Sequence, residues 1–144
     1  MPTLHDATGP ELTAAQLHDI LRLRVDVFVV EQKAAYPELD GRDLNPDTRH
    51  LWFEGESGVT AYLRVLLDPG DIRRIGRVAT AANARGQGLA ARLMEEALKV
   101  PGEYVLDAQT YVQAFYARYG FVAEGEEYTD DDGIPHIRMR RLPR

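Results

Sequence analysis

The chain has no cysteine among its 144 residues. This absence excludes disulfides, thiolate zinc sites and a cysteine nucleophile, and it favours a reducing, cytoplasmic setting. Long hydrophobic runs are also missing, because no apolar stretch approaches the ~20 residues that a membrane span requires. The N-terminus lacks the basic and then apolar pattern of a signal peptide. We therefore expect a cytoplasmic protein with no membrane partner.

Basic charge is scarce as well. Lysine and arginine number 17 against 23 aspartates and glutamates, which gives a formal net charge of -6 at pH 7. Proteins that bind nucleic acid need a basic surface to neutralise phosphates, so we expect no nucleic-acid partner. The length suits one domain over residues 1–144 with a single core.

Short turn clusters divide the chain into segments of clear periodicity. Alternating or continuous apolar residues predict strands at residues 3–6, 49–54, 59–67, 72–80, 104–109, 121–128 and 134–142. Residues 31–48 contain prolines, a glycine and several acids without a regular period, and they predict a long surface loop. A loop of that length usually has a function.

Helical spacing predicts three helices. The first covers residues 14–27, where Thr13 and Gln16 form a capping box, and the second covers residues 88–99. A second capping box, Thr110 with Gln113, opens the third helix, which ends near Gly120. The resulting order, β-α-βββ-α-β-α-ββ, predicts an α/β (α+β) fold in which helices flank a mixed, mostly antiparallel central sheet.

One segment has the features of a phosphate site. A strand runs directly into Arg85-Gly86-Gln87-Gly88-Leu89-Ala90, which opens the second helix. The amides of a first helical turn and the helix dipole attract anions, and glycines allow close backbone approach. Acids are absent from residues 72–94, although this stretch holds five arginines. We interpret that exclusion as the mark of a polyanionic ligand, against the simpler alternative of a tight turn with solvated arginines.

Two other phosphate motifs compete with this interpretation. Gly86, Gly88 and Ala91 formally satisfy the dinucleotide fingerprint, and Asp107 stands where a ribose-binding acid would lie. Position argues against it, because antiparallel hairpins precede the motif and too few residues follow Asp107 for the remaining parallel strands. A Walker loop is excluded because no Gly-Lys-Ser/Thr follows.

Two motifs in the sequence resemble those of a known family. Arg85-x-x-Gly88-x-Ala90 after a strand, followed later by Phe115-Tyr116-Ala117-Arg118-Tyr119-Gly120-Phe121, looks like the GNAT superfamily of acetyl-CoA-dependent N-acyltransferases. Within it, several segments resemble the ElaA-type branch. They are Phe28-Val29-Val30-Glu31-Gln32, Asp40-Gly41-Arg42-Asp43, Arg49-His50 and Asp132-Gly133-Ile134-Pro135-His136-Ile137.

The resemblance implies a cofactor site for acetyl-CoA and no metal. Amides of the turn and first helical turn would hold the pyrophosphate, and the preceding strand would pair with the pantetheine arm. Splaying of the two parallel strands would open the cleft. The residues implied for the cofactor are Val78, Ala79, Thr80, Arg85, Gly86, Gln87, Gly88, Leu89, Ala90, Gln109 and Phe115. Gln109 could instead hydrogen-bond the acceptor, or simply cap the end of its strand.

The catalytic residues follow from the resemblance and from the chemistry of thioester aminolysis. Tyr116 would protonate the departing thiolate, although it also fits a simple core position. Glu31 or His50 would accept the amine proton. Glu31 could instead recognise a cationic acceptor, and an isolated histidine is often structural. Gln32 and His136 are the other acceptor-binding candidates, and His136 fits an inert hairpin position equally well.

The expected function is transfer of an acetyl group to a primary amine directly within a ternary complex. The acceptor is a small-molecule or peptide amine, and a homodimer is one assembly that the sequence leaves open. An acidic run could steer a positive acceptor, or could simply be solvated; it comprises Glu124, Glu126, Glu127, Asp130, Asp131 and Asp132. Two alternatives remain, a non-catalytic CoA-binding sensor or partner module and a nicotinamide-dependent oxidoreductase.

Overall fold

Seven strands form one twisted sheet in the computed structural model, which describes residues 2–129 and 133–144. Three of the acids in the acidic run, Asp130, Asp131 and Asp132, lie outside the described residues. The strands are β1 (Thr3–Thr8), β2 (Arg49–Gly55), β3 (Gly58–Asp68), β4 (Ile72–Thr80), β5 (Tyr104–Gln109), β6 (Val122–Thr129) and β7 (Pro135–Arg141). Their order across the sheet is β1-β2-β3-β4-β5-β7-β6.

All neighbouring strands are antiparallel except β4 and β5, which run parallel. Antiparallel neighbours need only short turns, whereas a parallel pair needs a crossover, and the chain between β4 and β5 supplies one as a helix. The mixed, mostly antiparallel sheet and the predicted element order are confirmed.

The three helices are α1 (Ala14–Val25), α2 (Leu89–Ala97) and α3 (Gln113–Ala117). The capping box at the start of α1 is confirmed, since the Gln16 amide donates to Thr13 Oγ1 at 3.0 Å and Gln16 Oε1 accepts from the Thr13 amide at 3.0 Å. Beyond α1 the chain continues as a π-helical segment, Asp26–Glu31. The first helical run is therefore longer than predicted and ends inside the functional site.

The capping box predicted at Thr110 is wrong. Thr110 belongs to a 3₁₀ turn, Thr110–Val112, and α3 begins only at Gln113 with no side-chain cap. Because Gln113 is itself the first residue of α3, it cannot also be the third helical residue that reaches back to a cap. Polar spacing alone did not distinguish a tight turn from a helix start.

The two faces of the sheet carry separate cores. On one face, α2 and α3 cover a large cluster that includes Leu63, Ile75, Leu93 and Leu106. On the other face, α1 covers a smaller cluster around Trp52 and Tyr62. The main contacts of α1 with the sheet are to β3 and β4.

The parallel pair separates soon after it forms. β4 and β5 pair only at Arg73 with Tyr104 and at Arg74 with Val105, although both strands continue beyond those residues. The predicted splaying of these two strands is present in the structure. None of the helices in residues 2–129 and 133–144 has both the length and the apolarity to span a bilayer.

Candidate active site

A cleft of about 930 Å³ opens where β4 and β5 separate. Its walls come from β4, from the turn before α2, from the end of β5, from α3 and from the π-helical segment with the loop after it. Twelve of the residues singled out from the sequence line it: Glu31, Gln32, Val78, Ala79, Thr80, Arg85, Gly86, Ala90, Gln109, Phe115, Tyr116 and His136. The fold thus brings most of the predicted site together from six separate segments.

A β-bulge sets the course of β4 beside the cleft. On β3, Tyr62 and Arg64 are two residues apart, but their β4 partners Ala79 and Gly76 are three apart. Arg77 and Val78 therefore stand opposite the single residue Leu63, and Arg77 has a left-handed backbone with φ 53°. A bulge adds twist and bends its strand. β4 accordingly leaves β5 just before this point, and residues 76–80 have no β5 partner in the described sheet.

The turn before α2 has the geometry of an anion site. Gly86 (φ 82°) and Gly88 (φ 74°) are both left-handed, and no described atom lies within 4 Å of where a β-carbon would sit at either residue. The first intrahelical donor is the Arg92 amide, which bonds to Gly88 O at 3.2 Å. The amides of residues 89–91 therefore have no partner within the helix, and no side chain caps them.

Three predicted cofactor residues in this turn do not line the cleft through their side chains. Gln87 lies on a separate open cavity of about 860 Å³ near the start of β1 and the β2–β3 turn. Gly88 caps α2, and Leu89 is buried in the larger core. Leu89 can therefore contribute only its main-chain amide to a ligand. These residues fit a diphosphate through backbone donors alone.

The arginines near this turn are not all available to a polyanion. Arg74 bonds to Asp68 and Asp107, Arg77 bonds to Glu38, and the Arg92 guanidinium lies 4.6 Å from the Phe53 ring centroid. Acids outside residues 72–94 thus pair with Arg74 and Arg77, and an aromatic ring packs against Arg92. The interpretation of the acid-free arginine stretch as the mark of a polyanionic ligand is not supported for these three residues.

Arg85 is also engaged. Its Nη2 donates to Glu31 Oε1 at 2.7 Å and its Nε donates to the Thr80 carbonyl at 3.2 Å. The hydrogen bond from Arg85 lowers the pKa of the Glu31 carboxyl below its usual range. Glu31 is therefore ionised at neutral pH, which suits recognition of a cation better than removal of a proton.

A second contact crosses the cleft beside this ion pair. The side-chain amides of Gln32 and Gln109 each donate to the other's oxygen at 3.2 Å. Gln32 follows the π-helical segment and Gln109 ends β5, so the bonds join the two walls at the mouth. Glu31 and Gln32 thus contact Arg85 and Gln109, residues that the sequence assigned to the cofactor.

Tyr116 lies both in the core and in the cleft wall, so its catalytic role stays a prediction. Its ring packs edge-on against Phe115 and Phe121, with centroids 5.1 Å and 6.4 Å away, and it belongs to the larger core. The same side chain lines the cleft and is 8% exposed. Burial raises the pKa of the Tyr116 hydroxyl above its usual range. The hydroxyl therefore holds its proton at neutral pH.

His50 is placed outside the cleft. It is fully buried on β2, with Nδ1 2.6 Å from Tyr62 Oη and Nε2 2.8 Å from the Asp43 carbonyl. A carbonyl only accepts, so Nε2 carries the hydrogen and Nδ1 accepts from the tyrosine. Burial lowers the pKa of His50. Because both ring nitrogens are engaged away from the cleft, the structure does not support His50 as the catalytic base.

His136 lies in the cleft wall opposite β4. Its Nδ1 donates to the Ile134 carbonyl at 2.7 Å, and its ring stacks on Tyr128 with centroids 5.9 Å apart. Contact between His136 and an acceptor stays a prediction. Because the side chain is 7% exposed, it presents little area to a ligand.

The sequence reasoning missed a polar sector of the cleft. It is lined by Tyr36, Asp40, Arg64, Arg74, Arg77 and Asp107. Arg74 and Arg77 were noticed only as members of the arginine run, and Asp107 only in the rejected dinucleotide motif. Tyr36 and Asp40 come from the long loop, whose irregular sequence gave no sign of where it folds. In the described residues, no group of three or more potential metal-ligating side chains occurs.

Comparison with known proteins agrees with this geometry. Residues 16–143 match the protein-family profile described as Acetyltransferase (GNAT) domain. The UPF0039 protein Rv2851c of Mycobacterium tuberculosis is 50% identical over 137 residues, which cover 91% of this chain and 87% of that protein. Protein ElaA of Escherichia coli is 40% identical over 144 residues, with 94% of each chain covered.

Solved structures give the same result. The crystal structure of an acyl-CoA N-acyltransferase from Pseudomonas aeruginosa superposes with a TM-score of 0.91 at 45% identity, covering 99% of this chain and 100% of that one. Escherichia coli ElaA superposes with a TM-score of 0.90 at 36% identity, covering 98% and 99%. The fold therefore implies an acyl-CoA donor, and the chain belongs to the GNAT superfamily of acyltransferases, in its ElaA-type branch.

Proposed function

We propose that this protein transfers the acetyl group of acetyl-CoA directly to a primary amine within a ternary complex. The observation that carries the proposal is the alignment of two binding features in one cleft. The unpaired end of β4 leads into the left-handed glycine turn and the uncapped amides of α2. An extended arm that ends in a diphosphate matches this arrangement of backbone donors and acceptors.

The cofactor residues divide between these two features. Main-chain groups of Val78, Ala79 and Thr80 would pair with the amide-containing arm as an added strand does. The turn from Arg85 to Ala90 would bind the diphosphate through backbone amides. Phe115 and Gln109 line the cleft beyond β4 and would contact the arm from the opposite wall. Arg85 would add a charge-assisted hydrogen bond once it exchanges Glu31 for phosphate oxygen.

The chemistry requires a neutral amine and a proton for the leaving sulfur. The amine nitrogen bonds to the thioester carbonyl carbon, the carbon–sulfur bond breaks, and the nitrogen loses one proton. Tyr116 donates its hydroxyl proton to the departing thiolate and then regains a proton from solvent; its raised pKa keeps the hydroxyl protonated at neutral pH before the step. No enzyme nucleophile is needed, because the amine itself attacks the thioester.

The acceptor would enter from the side where Glu31, Gln32 and His136 line the cleft. Glu31 is ionised and half-exposed, so we assign it to attraction of a cationic acceptor. The amine proton then passes to water or to a group of the acceptor itself. His50 takes no part in this scheme, since the fold buries it on β2.

Two measurements on the purified protein test the proposal. Calorimetry should detect acetyl-CoA and CoA binding at a 1:1 ratio, with no heat from NADH. Release of free CoA thiol should then be followed across a panel of small amines, polyamines and lysine peptides. Binding without acceptor-dependent thiol release would favour a CoA-binding sensor over an enzyme, and binding of NADH alone would overturn the proposed function.

A further inference from the structure

The bulge beside the cleft depends on an unusual backbone at Arg77. A left-handed φ of 53° at a residue with a β-carbon is strained and persists only when neighbouring groups hold it. Glycine at the same position would adopt it freely. The surrounding contacts of Arg77 must therefore stabilise the bulge.

Those contacts come from one residue of the long loop. Arg77 Nε donates to Glu38 Oε2 at 2.8 Å, and Arg77 Nη2 donates to the Glu38 carbonyl at 3.0 Å. The guanidinium is thus bound by both the side chain and the main chain of Glu38. A charge-assisted pair of this kind is strong and directional. Its next ion-pair contact, with Asp40, is longer at 3.7 Å.

Glu38 is itself held rigidly. Its side chain is 3% exposed, and its Oε2 also accepts from Arg24 Nε at 2.7 Å. Its other oxygen, Oε1, accepts from the Tyr36 hydroxyl. Arg24 projects from α1 and is fully buried. The carboxylate is therefore a fixed point that joins α1, the long loop and β4.

We propose that Glu38 is a positioning residue for cofactor binding. It acts through Arg77, whose left-handed backbone it holds, and so maintains the bulge that turns β4 away from β5. Glu38 does not line the cleft, so it would act without touching the cofactor. The inference rests on the proposed function, because it assigns Glu38 to the shape of the proposed acetyl-CoA site.

Two substitutions at Arg77 separate the effect of its left-handed backbone from the effect of its side-chain contacts. Arg77→Ala and Arg77→Gly both remove the contacts to Glu38, but only alanine keeps a β-carbon that disfavours the left-handed region. We expect Arg77→Gly to bind CoA about tenfold more tightly than Arg77→Ala, although glycine is the more flexible residue. Equal affinities, or tighter binding by the alanine variant, would overturn the proposal.

Glu38→Gln tests the contact between Glu38 and Arg77 directly, and Asp43→Asn is its matched control. Asp43 is also a buried acid of this network, bonded to Arg24 at 2.7 Å and to Arg64 at 3.0 Å, but the structure shows no contact between its carboxylate and Arg77. Both variants should lower the melting temperature, because each leaves a buried arginine short of a partner. Only Glu38→Gln should also weaken CoA binding, by about tenfold.

A double variant completes the experiment. In the Arg77→Gly background, Glu38→Gln should still lower the melting temperature but should change the CoA dissociation constant by less than about twofold. An equal loss of CoA affinity in both backgrounds, or an equal loss in Asp43→Asn, would show that Glu38 acts only on general stability. Failure of the wild-type protein to bind CoA would instead overturn the proposed function. The Arg77 pair keeps the test available if Glu38→Gln does not fold.

Discussion

Arg85 donates from Nη2 to Glu31 Oε1 at 2.7 Å, so the residue assigned to the cofactor diphosphate is paired with the residue assigned to the acceptor. A diphosphate bound at the α2 turn would compete with Glu31 for the same guanidinium. Cofactor binding would then release the Glu31 carboxylate toward the acceptor side of the cleft. The two substrates would be coupled through a single exchange of partners.

Glu31→Gln should therefore weaken use of the amine more than use of acetyl-CoA. Loss of one half-exposed charge should raise the Michaelis constant for a cationic amine by about two- to fivefold. The constant for acetyl-CoA should stay the same or fall, since Arg85 no longer has a competing carboxylate. Glu96→Gln removes a comparable exposed ion pair, with Lys99, and should change neither constant. The reverse pattern in steady-state kinetics would mean that the two ends of the cleft have been misassigned.

Gly88→Glu should abolish CoA binding while the protein remains folded. The new side chain would enter the open space at the start of α2, and its carboxylate would repel a diphosphate there. Gly70→Glu is the matched control, because Gly70 is also left-handed, with φ 81°, and has open space around it. Calorimetry should show normal CoA affinity for the control. Retained affinity in the Gly88 variant would remove the diphosphate from this turn.

Tyr116→Phe should lower kcat by roughly 10²- to 10⁴-fold, the usual cost of removing a positioned general acid. The ring contacts with Phe115 and Phe121 remain, so melting temperature and CoA affinity should hardly change. Tyr119→Phe is the control, because its hydroxyl lies near the Ala91 carbonyl at 3.4 Å and the side chain is not part of the cleft wall. A phenylalanine variant at Tyr116 that keeps near wild-type kcat would show that solvent protonates the thiolate.

His50 should make stability depend on pH. Its pKa is lowered in the folded protein, so below the ordinary histidine pKa of about 6.5 the unfolded chain binds a proton that the native protein does not. The stabilising term is complete above that pH and is lost as pH falls, by at most about 1.4 kcal/mol of unfolding free energy per pH unit.

Urea unfolding between pH 5 and 8 measures this dependence. His50→Gln should be less stable at pH 8 but should lose most of the slope between pH 5 and 7. His18→Gln, at an exposed position of α1, should keep the wild-type slope. If the slope survives in the His50 variant and disappears in the His18 variant, the buried histidine is not its source.

Local patterns predicted the backbone of the cofactor end well. Gly88 just before an apolar stripe predicted the start of α2, and Leu89, Leu93, Met94 and Ala97 form its buried face. These features depend on neighbours within one or two turns, which a single sequence displays directly. The separation of β4 from β5 was implied by resemblance to the GNAT family, and the structure contains it.

Long-range pairing could not be predicted in the same way. Because residues 72–94 contain no acid, the sequence predicted that Arg74 and Arg77 bind a polyanionic ligand. In the fold, Asp107 bonds to Arg74 and Glu38 bonds to Arg77. His50 lies on β2 between Arg49 and Leu51, and nothing local shows that both of its nitrogens will meet buried partners. The roles of Tyr116, Glu31 and the other cleft residues remain predictions for the variants above.

The strand at the outer edge of the sheet has a consequence for association between molecules. Within residues 2–129 and 133–144, β6 borders only β7 and all eight of its residues are exposed, so its outer edge faces solvent and could pair with another strand. Glu124, Glu126 and Glu127 lie along it. Two copies that met edge to edge here would bring six carboxylates close together, and the two from Glu124 are already paired with Arg140. Charge repulsion along β6 thus disfavours edge-to-edge pairing of two copies into a continuous, fibre-like sheet.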